Sequence, residues 1–166
     1  MEQEFLEVAK KDMSMKTDIK PYTADRIGDV VLFEQELRRQ EDCWGWEIDE
    51  KYLESVRNSF QNPSFADALS LLAYVDGKVV GRIDASLIRS RFDGTTKAYL
   101  DWICVLKSCR HQGVAQQLLN ELKKRLKEQN ITSLVALTAA NDEAQSFYKA
   151  VPDSIMRDIG IWIDIL

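Results

Sequence analysis

The sequence has little of the chemistry that builds metal centres and disulfide frameworks. It contains a single histidine, His111, which excludes a histidine-rich metal site. Its three cysteines, Cys43, Cys104 and Cys109, are odd in number and show no C-x-x-C spacing. We therefore interpret them as reduced thiols of a cytoplasmic protein, and we predict no metal ion.

Long apolar runs and the common nucleotide-binding loops are also absent. No apolar run approaches the roughly 20 residues of a membrane-spanning helix, and the charged N-terminus lacks the apolar region of a signal peptide. Neither G-x-x-x-x-G-K-[ST] nor G-x-G-x-x-G occurs. The net charge of −5 argues against a nucleic-acid partner and is compatible with a cationic small substrate. We expect neither a membrane nor a nucleic-acid partner.

What the chain does contain is the composition of one globular domain. It has 166 residues, of which 45% are hydrophobic and 30% charged. We interpret residues 1–17 as a polar N-terminal extension and residues 18–166 as a single α/β domain. Periodicity predicts strands over Asp18–Tyr22, Leu69–Val75, Val79–Ile88, Ser133–Leu137 and Ile159–Leu166, and helices that begin after the capping residues Thr23, Asp49 and Asn141.

The most informative stretch runs from residue 97 to residue 130. It predicts a buried strand over Tyr99–Leu106, a basic loop over Arg110–Ala115, and then an amphipathic helix. A glycine at such a joint, here Gly113, exposes backbone N–H groups that bind phosphate together with the helix dipole. The alternative is that Gly113 only makes a tight turn and that Arg110 is a solvated charge.

Two motifs make the chain similar to the GNAT (Gcn5-related) N-acetyltransferase superfamily over roughly residues 18–166. Residues Arg110–Ala115 fit the family's acetyl-CoA signature [R/Q]-x-x-G-x-[G/A], and Asn141–Tyr148 fit its N-x-x-A-x-x-[F/L]-Y pattern. The resemblance implies an α/β fold with a mixed, twisted central sheet, flanking helices and a splayed central pair of strands.

The resemblance also implies how acetyl-CoA would bind. The pyrophosphate would meet the loop amides, and the pantetheine arm would add like a strand beside the central strand. Asn141 would contact a pantetheine amide, unless its role is to cap the helix. The residues implied in cofactor binding are Ile103, Cys104, Val105, Arg110, His111, Gln112, Gly113, Val114, Ala115 and Asn141.

Direct acetyl transfer needs a base for the amine and an acid for the leaving thiolate. By resemblance, Tyr148 is the general acid; the alternative is a core tyrosine. Asp101 is the candidate base, because a carboxylate inside an apolar strand is costly unless it is paired or used. The alternative is that it forms a salt bridge with Arg82 or Arg89.

Three further residues are candidates for the acceptor end of the site. Asp84 is the reserve base and a potential amine-binding residue. Trp44 and Trp46 precede the second helix, where this family builds its acceptor pocket, and they would stack on a substrate or hold a cation. The alternative is that both tryptophans belong to the core. The tail after Tyr148 lacks the family's G-F turn, which leaves the acceptor site less well defined than the cofactor site.

The resulting hypothesis is an N-acetyltransferase that acts on a primary amine of a small, cationic acceptor. The acceptor classes considered are polyamines, aminoglycosides and amino-acid derivatives. The alternatives are acetylation of a protein lysine or N-terminus, and a non-catalytic module that senses acyl-CoA. The apolar segment Ile161–Leu166 could pair across a homodimer.

Overall fold

The fold was analysed in a computed structural model that describes residues 14–41, 46–157, 160, 163 and 165. The predicted fold class is confirmed: a mixed five-stranded sheet is flanked by helices. The strands are β1 (Asp18–Pro21), β2 (Leu69–Val75), β3 (Lys78–Arg89), β4 (Thr96–Val105) and β5 (Leu134–Ala136). The α-helices are α1 (Ile27–Gln40), α2 (Glu50–Ser59), α3 (Val114–Glu128) and α4 (Asp142–Lys149).

The strands lie in the sheet in the same order as along the chain, from β1 to β5. Strands β1 to β4 pair antiparallel, and β5 joins β4 in parallel. The change of direction has a simple cause: a parallel pair needs a crossover, which here contains α3, whereas a hairpin suffices for an antiparallel pair. The functional motifs lie at the β4–β5 end of the sheet.

The turn between β2 and β3 forms as the sequence predicts. Asp76 and Gly77 both have positive φ angles, 48° and 75°, as the inner residues of a type I′ hairpin turn require. The strands that flank the turn place Leu72 and Ile83 at 0% exposure in the core. The turn therefore fixes the register of the central hairpin.

The starts of the first two helices differ in how well they were predicted. Asp49 caps α2 as expected, since its Oδ1 accepts a hydrogen bond of 2.8 Å from the Tyr52 backbone N–H. The prediction that Thr23 caps the first helix is wrong. Its hydroxyl accepts a bond of 3.0 Å from the Arg26 guanidinium instead, and a 3₁₀ turn at Ala24–Arg26 precedes α1.

The two faces of the sheet are covered by different helices. Helix α3 packs against β2, β3 and β4, and a Cβ built on Gly81 of β3 would lie 3.1 Å from Leu118 and Val114 of that helix. Helix α1 covers the other face, where Glu34 meets Arg82 of β3. Glycine at position 81 thus permits a close approach of α3 to the sheet.

Two predictions fall outside the part of the chain that the structure describes. Trp44 is one, and most of the predicted closing strand Ile159–Leu166 is the other. Within the described ranges, no helix combines the length and apolar character that crossing a bilayer requires.

Candidate active site

The central strands separate at the place where the family resemblance implies a cofactor. Pairing between β4 and β5 ends at Leu100 and Ala136, whereas β4 continues to Val105. The splay that the fold prediction included is therefore present. Because the ladder stops there, the backbone groups of residues 103–105 on that edge face a gap rather than a fifth strand. Such an edge can accept an extended amide-containing chain.

The N-terminus of α3 lies next to the end of β4 and begins at a glycine. Gly113 is the N-cap, with a φ of 78° and no side chain to cap the helix. The first amides of the helix, beginning with those of Val114 and Ala115, have no intrahelical acceptor. His111 in the preceding loop also has a positive φ, 59°. The loop thus leads directly into the N-terminus of α3, where the positive end of the helix dipole lies.

The segment before β1 forms hydrogen bonds with the loop before α3 and with the first turn of that helix. The Met15 N–H donates to the Gln112 carbonyl at 2.9 Å. Gln117, in the first turn of α3, donates from Nε2 to the Met15 carbonyl at 2.8 Å and accepts a bond of 2.9 Å from the Thr17 hydroxyl. Sequence reasoning missed Gln117, because a polar residue in a helical first turn carries no signal that it reaches a segment 100 residues earlier.

Arg110 lies near the end of β4 and forms contacts with one backbone carbonyl and two carboxylates. Its Nε donates to the Val105 carbonyl at 3.2 Å, at the end of β4. Its Nη2 lies 2.6 Å from a Glu41 oxygen, and its Nη1 lies 3.3 Å from Glu143 in the first turn of α4. His111 Nε2 lies 3.5 Å from Glu143 as well. The predicted alternative of a solvated Arg110 is therefore wrong.

Asn141 performs the local role that the sequence predicted for it. Its Oδ1 accepts a hydrogen bond of 2.8 Å from the Ala144 N–H, which caps α4. This bond fixes where α4 begins, at the end of the β5 arm of the gap. The contact with a pantetheine amide stays a prediction.

Tyr148 is half-buried on α4. Its ring packs edge to face against Phe147, with 5.1 Å between ring centres. Burial raises the pKa of the Tyr148 hydroxyl above its ordinary value, and the nearby Tyr99 raises it further. A tyrosine of this kind stays protonated at neutral pH, as a proton donor must.

Asp101 does not occupy the apolar environment that the sequence predicted. The residue is exposed, because β4 bulges at this point: Trp102 pairs with Asp84 and Leu100 with Ala85, which leaves Asp101 without an opposite residue. The burial argument for a functional carboxylate is therefore wrong, although the role as a base is untouched by it.

The two arginines considered as alternative partners of Asp101 are paired elsewhere. Arg89 lies 2.6 Å from Asp67. Arg82 lies 2.7 Å from Asp84 and 3.3 Å from Glu34. A bulge turns the carboxylate of position 101 out of the regular alternation of the strand, so the sequence pattern alone could not reveal it.

Asp84 belongs to a buried charged cluster that the sequence analysis recognised only in part. Its Oδ1 accepts a 2.6 Å bond from Ser70, and its Oδ2 lies close to Arg82 without the angle of a hydrogen bond. Glu34 is 1% exposed and accepts a 2.6 Å bond from the Tyr52 hydroxyl. These contacts occupy Asp84 within the core layer. Glu34 was detectable as a charge on the apolar face of α1.

The described tryptophan of the predicted acceptor loop lies over this cluster. Trp46 is 40% exposed and packs edge to face against Trp102, with 6.3 Å between ring centres. The Arg38 guanidinium lies 5.1 Å from the Trp46 ring, and that of Arg82 lies 5.4 Å from the Trp102 ring. The rings of Trp46 and Trp102 and the guanidinium groups of Arg38 and Arg82 therefore pack against one another, and part of the Trp46 ring stays accessible.

Thiol and metal chemistry find little support in the described part of the chain. Burial raises the pKa of the Cys104 thiol to about 11, so the protonated thiol predominates at neutral pH. Within the same residues, no group of at least three His, Cys, Asp or Glu side chains could hold a metal ion.

An open groove of about 730 Å³ between α1 and α2, around Leu32, Leu53 and Phe60, contains none of the predicted site residues.

Comparison with solved structures identifies similar folds. An aminoglycoside acetyltransferase from an uncultured soil metagenomic sample, in complex with sisomicin, has a TM-score of 0.76 and 12% identity over 90% of this chain and 96% of that one. An aminoglycoside antibiotic 6'-N-acetyltransferase from Acinetobacter haemolyticus has a TM-score of 0.68 and 19% identity over 90% and 99%. A ribosomal-protein-alanine N-acetyltransferase from Brucella melitensis biovar Abortus 2308 has a TM-score of 0.68 and 17% identity over 92% and 100%.

Sequence comparison gives the family directly. No significant match is found among curated proteins. The family described as Acetyltransferase (GNAT) family matches residues 13–151, which include β4, the Gly113 loop, Asn141 and Tyr148. The chain therefore belongs to the GNAT family of acetyltransferases and is an acyltransferase.

Proposed function

We propose that this acetyltransferase transfers the acetyl group of acetyl-CoA directly to a primary amine of a small, cationic acceptor. The observation that carries the proposal is the gap between β4 and β5, which opens beside the uncapped N-terminus of α3 at Gly113. A free strand edge and an anion site next to each other suit a ligand that joins amide groups to a pyrophosphate. Acetyl-CoA is such a ligand, and its thioester supplies an activated acetyl group.

The cofactor-binding residues divide into two sets by chemistry. The amides of Gln112, Gly113 and the first turn of α3 would hold the pyrophosphate through hydrogen bonds and the helix dipole. The backbone groups of residues 103–105 would bind the pantetheine amides along the edge of β4. An N–H on this edge would also polarise the thioester carbonyl, which stabilises negative charge as it develops on that oxygen.

Two side chains would move the protons. The acceptor nitrogen forms the new C–N bond as the C–S bond breaks. Asp101 takes the proton that the nitrogen releases, and it lies on β4 two residues before Ile103. Tyr148 donates its hydroxyl proton to the departing sulfur, and its raised pKa keeps that proton available at neutral pH. Cys104, with a pKa of about 11, suits direct transfer better than an acyl-cysteine route.

Charge favours a cationic acceptor. The chain has a net charge of −5, and Asp101 is exposed beside the gap. Trp46 presents a partly accessible ring that packs against Trp102, and such a surface suits an ammonium group or a sugar ring. The similar aminoglycoside acetyltransferases make an aminoglycoside the first acceptor to test. Asp84 stays a secondary candidate, since Arg82 balances its charge.

A peptide amine is the second candidate. Exposure of Asp101 leaves room for an acceptor that is attached to a larger molecule, and one of the similar structures is a ribosomal-protein-alanine N-acetyltransferase. The two candidates differ in what surrounds the amine: a small acceptor carries further ammonium groups, whereas a peptide N-terminus carries a backbone.

The test is thiol release from acetyl-CoA with a panel of aminoglycosides, polyamines, amino-acid derivatives and N-terminal peptides. We expect turnover with at least one polycationic small amine and a lower kcat/KM with peptides. Turnover with peptides alone would replace the proposed acceptor class by the second candidate. Binding of acetyl-CoA without turnover on any amine would contradict the proposal and support an acyl-CoA sensor.

A further inference from the structure

A single arginine joins the three elements that surround the cofactor gap. Arg110 contacts the last carbonyl of β4 at Val105, the residue that follows α1, Glu41, and the first turn of α4 at Glu143. Helix α4 follows β5 along the chain, so the contact with Glu143 spans from the β4 side of the gap to the β5 side. The bridge lies at the end of the gap where the strands have already separated.

The charges of this bridge oppose the binding of an anion. Two carboxylates face one guanidinium, so the group carries a net negative charge beside the open N-terminus of α3. A pyrophosphate that approached the amides of Gly113 and Val114 would meet Glu143 at close range, and Coulomb repulsion would weaken its binding. A guanidinium that turned from Glu143 to phosphate oxygens would pair with the anion directly and offset part of this repulsion.

The two carboxylates differ in how tightly they hold Arg110. The Glu41 side chain is 20% exposed and lies 2.6 Å from the guanidinium, whereas that of Glu143 is 52% exposed and lies at 3.3 Å. An exposed ion pair contributes little and exchanges easily. Glu143 is therefore the partner that Arg110 can leave first, while Glu41 keeps the guanidinium near the gap.

We propose that Glu41 and Glu143 set the affinity for the cofactor by holding Arg110 in this bridge, and that Arg110 passes from Glu143 to the pyrophosphate when acetyl-CoA binds. The inference rests on the proposed use of the gap by acetyl-CoA. It makes the two glutamates affinity-determining residues, neither of which touches the reacting atoms. The same exchange would release the Val105 carbonyl, one of the backbone groups proposed for pantetheine.

The test is calorimetric titration of CoA into the wild type and into Glu143→Gln, Glu41→Gln and Arg110→Gln. We expect Glu143→Gln to bind CoA about two- to fivefold more tightly, the range that one exposed ion pair supports. Glu41→Gln should gain less than Glu143→Gln, because Glu41 keeps its contact with Arg110 when the cofactor binds. Arg110→Gln should bind more weakly than the wild type. Added salt should reduce the gain of each glutamate variant.

A matched control separates this effect from loss of surface charge. Glu121 also pairs with an arginine, Arg125, at 2.8 Å, but it lies along α3 away from the gap. Glu121→Gln removes the same charge and should leave the affinity for CoA unchanged. In the Arg110→Gln background, Glu143→Gln should lose the part of its gain that comes from freeing Arg110 and keep only the part that comes from direct repulsion of the pyrophosphate.

The outcomes distinguish the inference from the proposed function. If the wild type binds CoA and Glu143→Gln binds it equally or more weakly, the inference is overturned and the proposed function stands. If the gain persists undiminished in the Arg110→Gln background, Glu143 acts by charge alone and the exchange is also overturned. If the wild type binds no CoA at all, both are overturned.

Discussion

Two arginines lie in ion-pair clusters at the two ends of the candidate site, and their carboxylate partners differ in burial. Arg82, at the acceptor end, has a side chain that is 16% exposed and lies against Glu34, which is 1% exposed. Arg110, at the cofactor end, is paired with Glu143, which is 52% exposed. Each cation bridges two carboxylates. We therefore expect the first cluster to act as a fixed layer of the core and the second to act as an exchangeable contact, with burial of the carboxylates as the cause of the difference.

The strongest way to break this comparison is to remove each arginine in turn. Arg82→Met leaves Glu34 and Asp84 without their common partner inside the core, and we expect it to lower the free energy of unfolding by about 3–5 kcal/mol. Arg110→Gln should cost about 1 kcal/mol or less, since its pairs lie nearer to solvent. Urea unfolding of both variants measures the difference. Equal losses of stability would show that the ion pairs of Arg82 and Arg110 contribute equally to folding, whatever the burial of their carboxylates.

The next effect concerns the cofactor end alone. Gly113→Val forces a β-branched residue into a φ of 78° at the anion site, and we expect CoA binding to be lost. Gly94→Val is the matched control, because Gly94 has a φ of 68° in the distant β3–β4 turn with no atom near its Cβ position. Similar backbone strain should thus leave the affinity for CoA unchanged there. If Gly113→Val still binds CoA, the pyrophosphate does not bind at the N-terminus of α3, and the proposed site is wrong.

A smaller effect separates chemistry from binding. Tyr148→Phe should lower turnover by about 10²-fold or more while the affinity for CoA stays within a few fold, since only the donated proton is lost. The raised pKa of Tyr148 sets the sign of the pH dependence. Its acid form should persist until the pH rises through that raised value, above the ordinary value near 10. A wild-type rate for Tyr148→Phe would show that Tyr148 is a core tyrosine and not the general acid.

The smallest effect is expected at Cys104. Burial raises the pKa of this thiol to about 11, which disfavours the thiolate that a nucleophile needs at neutral pH. Cys104→Ala should keep the turnover of the wild type, because only its backbone would take part in binding. Steady-state rates and mass spectrometry for an acyl-protein species check this. An acetylated cysteine on the wild-type enzyme would contradict direct transfer.

Local signals in the sequence predicted one hairpin turn and the starts of two helices. The Asp76-Gly77 turn and the caps at Asp49 and Asn141 depend on residues within four positions of each other, and all three form as predicted. The N-cap at Thr23 failed because the Arg26 side chain takes its hydroxyl. A hydrogen bond between near neighbours can be predicted from the sequence when no other, longer side chain competes for the same atom.

The acceptor end depends on contacts that no local pattern carries. Asp101 is exposed because β4 bulges against β3, and a bulge shifts the alternation on which a burial prediction rests. The contact between Glu34 and Arg82 joins residues 48 positions apart. The bridge at Arg110 likewise depends on a glutamate 69 positions earlier and another 33 positions later. Such pairings become visible only when the elements have packed.

Hydrogen exchange of the wild-type protein with and without acetyl-CoA tests the central claim most directly. The account predicts that the cofactor slows exchange at the amides of residues 112–115 and 103–105, with no comparable change around Leu32 and Phe60 in the groove between α1 and α2. Slower exchange confined to that groove, or no change at the two predicted segments while acetyl-CoA is bound, would contradict it.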